Sequence, residues 1–108
     1  MRFGMKCNPG DVVLIATEYS KHKMIRKRPA FILYANDDTL IACGVSRSKD
    51  HKGIVINLKD GATKKCKIFL HHMFTISPNL VIKKLFVVRG SKKNEIYKKL
   101  KQKIQVLK

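Results

Sequence analysis

Along the first two thirds of the chain, apolar residues fall in short runs rich in β-branched side chains and separated by turn residues. After Pro9-Gly10, the run Asp11-Val-Val-Leu-Ile-Ala-Thr17 is too short for a good helix and reads as a first strand. Pro29 opens a second, Ala30-Phe-Ile-Leu-Tyr-Ala35, which stops at the turn signal Asn36-Asp37-Asp38. Thr39 to Val45 forms a third, close enough to its neighbour for a hairpin. Ile54 to Leu58 is a fourth strand, closed by Asp60-Gly61, Cys66 to Leu70 a fifth, and Val81 to Val88 a sixth, ending at Arg89-Gly90. Only the tail changes period: Ile96, Leu100, Ile104 and Leu107 recur at helical spacing among lysines. Ser91 is the expected N-cap, and Glu95 stands in the favourable first turns. Short strands followed by one amphipathic helix predict a mostly β fold, a compact and strongly bent barrel with the helix packed on it.

The length of 108 residues fits a single domain over the whole chain, 1–108, with no internal repeat and no linker. A hydrophobic fraction of 44% is too high for a basic disordered tail. The longest apolar run, Ala30 to Ala35, is far too short to span a bilayer. The opening MRFGMKCNPG has no apolar signal-peptide core, so a cytoplasmic setting is expected. Cys7, Cys43 and Cys66 lie far apart with no C-x-x-C pairing, which argues against disulfides or a zinc site and for a reducing compartment.

Charge changes the picture most. Lys and Arg number 24 against 7 Asp and Glu, a formal net charge of +17. A surplus of this size repels itself, and a polyanion would relieve the repulsion through counterion release. Nucleic acid is the obvious partner, although an acidic protein satisfies the same electrostatics and lysine-rich surfaces also arise without one. The stretch Lys21-His-Lys-Met-Ile-Arg-Lys-Arg28 holds five cations and no acid between two strands. It is either a solvated hairpin tip or a basic loop that wraps a phosphate backbone. Pro29 restricts the backbone of Arg28 and sets it at the mouth of a strand, where a guanidinium can fork onto a phosphate. A second basic turn, Ser46-Arg47-Ser48-Lys49-Asp50-His51-Lys52, mixes hydroxyls with cations.

His71-His72 follows the fifth strand. Neighbours on a regular strand point to opposite faces, so the pair is poorly placed to chelate one metal, but either could serve as acid or base. The carboxylates Asp11, Glu18, Asp37, Asp38, Asp50, Asp60 and Glu95 lie mostly in turns or at strand ends. A two-metal nuclease needs several that converge. Cleavage of nucleic acid by this chain would then be metal-independent, with no cofactor. That favours RNA, whose own 2′-hydroxyl can attack, given a base, an acid and a cation.

The order of these segments resembles the MazF/PemK toxins. Pro9-Gly10-Asp11-Val-Val-Leu is similar to the family's G-D-[IV] first strand, and Arg26-Lys27-Arg28-Pro29-Ala30-Phe-Ile-Leu to its R-P-[AV] second strand. Ala42-Cys-Gly-Val-Ser46 falls where the family carries T-[ST]. Phe69-Leu-His-His-Met-Phe-Thr-Ile76 and Ile82-Lys-Lys-Leu85 resemble R-L-D-K-L-F-T-I and the last strand. The resemblance runs in order over roughly residues 9 to 107. It implies an SH3-like barrel of six or seven antiparallel strands with a C-terminal helix, usually a homodimer with RNA along its interface. It further implies the toxin of a type II toxin–antitoxin system, a metal-independent endoribonuclease that cuts single-stranded RNA at short sequences. Such enzymes leave a cyclic phosphate and a 5′-hydroxyl, and a small acidic antitoxin occludes the groove.

By the same resemblance Arg28 stabilises the transition-state phosphate, and His22 matches a histidine that takes part in one branch. Val45 stands at the family's catalytic Thr, so Ser46 would have to substitute. His71 falls on an acid used by some members, and Phe69 on an arginine. The expected catalytic set is therefore Arg28, Ser46, His22 and His71. Lys21, Lys23, Arg26, Lys27, Arg47 and Lys49 are expected to steer RNA. The alternatives are a catalytically degenerate nucleic-acid-binding barrel, motivated by Val45 and Phe69, and a gyrase-binding protein of the CcdB type, by fold analogy alone.

Overall fold

The computed structural model describes residues 6–19, 24–47 and 53–106. Six strands run as β1 (Asp11–Tyr19), β2 (Met24–Ala35), β3 (Leu40–Ser46), β4 (Ile54–Ile56), β5 (Cys66–Ile76) and β6 (Val81–Val87), followed by α1 (Gly90–Val106). All pairings are antiparallel, in one open sheet of order β4-β5-β3-β2-β1-β6. The sheet curls until its ends nearly meet: the Arg89 amide donates to the Asp60 carbonyl at 2.8 Å, tying the exit of β6 to the turn after β4. Gly61 closes that junction with φ +110°, and a Cβ there would collide with the Val87 carbonyl oxygen.

The continuous apolar runs in β1 and β2 have a simple cause, since both faces of the central strands are covered. Val12, Phe31 and Cys43 point inward with Ile54, Ile56 and Ile68, beneath Ile96 of the helix. Val13, Ile15, Ala30, Ile32, Leu40 and Ala42 point the other way into a second core, capped by Cys7 and Val81. The Asn36 turn forms as expected: its Oδ1 accepts from the amides of Asp38 and Thr39 at 2.9 and 2.8 Å. Asp11 is buried yet satisfied, accepting from the Asn8 amide at 2.9 Å and pairing with Lys84 at 3.3 Å.

Four expectations change. The fourth strand ends at Ile56, and Leu58 opens a one-turn 3-10 helix, Leu58–Asp60. Pro29 does not open β2 but lies inside it, opposite Leu14, so Arg28 sits within a strand and not at its mouth. The strand β5 does not end at Leu70 but runs on through both histidines to Ile76. The helix starts at Gly90, one residue before Ser91, with the Arg89 carbonyl accepting from Lys93 at 3.4 Å. Among the described residues, no helix is long and apolar enough to cross a membrane.

Candidate functional site

Proline cannot donate to a strand ladder, and the sheet parts at Pro29. Strand β2 pairs with β3 from Ala30, opposite Gly44, to Ala35, opposite Leu40. Beyond that point residues 24–29 pair with β1, whereas Val45 and Ser46 of β3 pair with β5. The two strands splay, and a groove of about 800 Å³ opens at the fork. Arg28 and Thr17 bound it on one side, Gly44, Val45 and Ser46 on the next, and Phe69, His71, His72 and Phe74 on the third.

The histidines reach this groove together because β5 is irregular there. Cys43 pairs with Met73 and the next residue, Gly44, pairs with Phe69, so Leu70, His71 and His72 have no counterpart on β3. A bulge of this kind re-aims side chains. Both histidines are among the residues that line the groove, while the ring pairs Phe69–His71 and His72–Phe74 keep the i,i+2 alternation of a strand and His71 also borders a depression beside Ile54 and Lys99. The His71 ring lies 5.8 Å from that of Phe69, and the His72 ring 5.6 Å from that of Phe74. His72 also covers Gly44, where a Cβ would come within 2.9 Å of its Nδ1. Both histidines are solvent-exposed, as is Arg28, whereas Phe69 is buried.

Of the expected catalytic set, Arg28, Ser46 and His71 line the same groove. Strand alternation puts Arg26 on the Arg28 face and Lys27 on the other, both exposed. Arg47 follows β3 directly and is exposed. His22, Lys21, Lys23 and Lys49 lie outside the described residues. Thr17, His72 and Phe74 line the groove without belonging to the expected set. The alternating Met73-Phe74-Thr75-Ile76 is the sequence signal that β5 continues. Cysteine chemistry has no place here: burial pushes the Cys43 thiol up to about 12 and raises Cys7 and Cys66, so thiolate is scarce. Among the described residues no three His, Cys, Asp or Glu side chains group closely enough to hold a metal ion.

No curated protein matches the chain significantly. Residues 8–104, nearly the whole chain, match the model of the PemK-like, MazF-like toxins of type II toxin–antitoxin systems. With its six-stranded curled sheet and C-terminal helix, the chain belongs to that toxin family.

Proposed function

We propose that the chain is a toxin-type endoribonuclease that cuts single-stranded RNA without a metal, using the RNA's own 2′-hydroxyl as nucleophile. The observation that carries this reading is that Arg28, Ser46 and two histidines, from three strands, line one groove. An imidazole of His71, with His72 beside it, takes the proton from O2′. O2′ attacks the adjacent phosphorus, the P–O5′ bond breaks, and a second imidazole, His72 or His22, protonates the departing O5′. The products are a cyclic phosphate and a 5′-hydroxyl. Charge accumulates on the phosphoryl oxygens in between, where the Arg28 fork and the Ser46 hydroxyl are worth most. Lys21, Lys23, Arg26, Lys27, Arg47 and Lys49 draw the backbone in. A small acidic antitoxin and a second copy of the chain are the protein partners this reading carries, in the cytoplasm.

The test incubates the protein with a long single-stranded RNA in excess EDTA, beside Arg28→Ala. Wild type yields cyclic-phosphate-ended fragments, and Arg28→Ala is slower by at least about 100-fold with an unchanged fold. Equal rates sink the assignment. One observation favours a second reading: the groove carries Val45 and Phe69, whose side chains have no group that can donate to a phosphate. RNA that shifts in a gel yet stays intact identifies a binding barrel without a catalyst.

A further inference from the structure

A second depression, of about 430 Å³, lies on the other side of the fork. Strand alternation sets the two apart, since Ile15 and Thr17 line the groove while Val12 and Leu14 line this chamber. They meet at the gap between β2 and β3, so Arg28, Pro29, Val45 and Ser46 border both. We propose that the chamber is a nucleotide subsite, taking the ribonucleotide on one side of the phosphate held at the Arg28–Ser46 gap while the groove takes its neighbour. This inference rests on the RNA reading of the groove and names where the second nucleotide binds.

The chamber's chemistry matches that ligand. Its ionised side chains are Arg28, Arg47 and Lys64, with no carboxylate among its lining residues, so it favours anions. Arg47, though exposed, is near enough to the Cys66 thiol at the chamber wall for its charge to oppose the upward push of burial there. Much of the lining is apolar, including Leu14, Leu85 and Phe86, which suits the face of a base. Thr63 and Ser46 add hydroxyls for a base edge or a ribose. The volume is that of a small-ligand pocket and accommodates one nucleotide. A single phosphate therefore has different surroundings on its two sides: His–Phe ring pairs in the groove, cations and apolar side chains in the chamber.

The probe is a tetranucleotide RNA with every 2′-hydroxyl methylated, which lacks the nucleophile and so reports binding whether or not the protein cleaves. Titrated into the isotope-labelled full chain, it is expected to shift the amides of Thr63, Lys64 and Phe86 together with those of Gly44 and His71. Thr63→Phe, at an exposed position, fills the chamber; it should remove the first set and weaken binding about tenfold. Lys64→Glu, also exposed, should weaken binding in a salt-dependent manner, and it decides the question if Thr63→Phe disturbs the fold. Shifts confined to the groove, or unaltered binding by these variants, overturn the subsite. Failure of the wild type to cut unmodified RNA overturns the ribonuclease reading alone, because chamber occupancy is read on the methylated probe.

Discussion

The hydroxyl of Tyr97, on α1, is buried with no hydrogen-bond partner. Burial also raises its pKa, as expected for a phenol removed from water without compensation. An unsatisfied buried polar group costs about 1–3 kcal/mol, whereas the ring that carries it still contributes by packing. Tyr97→Phe should therefore stabilise the protein by about 1 kcal/mol, raising Tm by about 5 °C, as read by thermal melts. A loss of stability would mean that the hydroxyl is bonded in solution. Asp11 is the instructive contrast. Its carboxylate is buried too, yet the Asn8 amide and Lys84 satisfy it, so its burial ties the start of β1 to β6.

At the scale of elements, the bulge in β5 decides what the groove contains. Only glycine at position 44 lets the His72 ring lie against β3, since an added Cβ would stand 2.9 Å from Nδ1. His72 is exposed and can swing away, so Gly44→Ala should keep its fold. It should nonetheless slow RNA cleavage by about tenfold to a hundredfold through displacement of the ring. Cleavage kinetics beside the imidazole NMR signals check this, and unchanged kinetics remove His72 from the chemistry. The strands themselves were legible because β-branched runs lie next to turn residues that act locally, Val12 to Ile15 after Pro9-Gly10 and Ile54 to Ile56 before Asn57. The groove was legible only in part. Arg28 and Ser46 stand in recognisable motifs, but the bulge depends on how β3 and β5 register over a long sequence separation, which no local pattern encodes. The same holds for Pro29: its neighbours read as a strand start, and only tertiary pairing with Leu14 shows a strand interior that β3 abandons.

For the whole molecule, one property acts on stability and function with opposite sign. The net charge of +17 has few internal counterweights. The ion pairs among the described residues include Lys84–Asp11 and those of Glu95 with Lys92 and Lys99. The folded state therefore gathers like charges that the unfolded chain holds farther apart, and self-repulsion opposes folding. Raising salt from about 0.1 M to about 1 M shortens the screening length from about 10 Å to about 3 Å, which removes most of that repulsion. Tm should therefore rise with salt. RNA binding should move the other way, because each neutralised phosphate releases counterions into a solution where release is worth less. If Arg28, Arg47 and Lys64 each meet one phosphate, the slope of log affinity against log salt is about −2 or steeper. Thermal melts and RNA titrations across one salt series test both signs together. A Tm that falls with salt would show that attractive pairs dominate the fold. A flat RNA titration would show that the cations lining groove and chamber do not meet the backbone, whatever the groove then does.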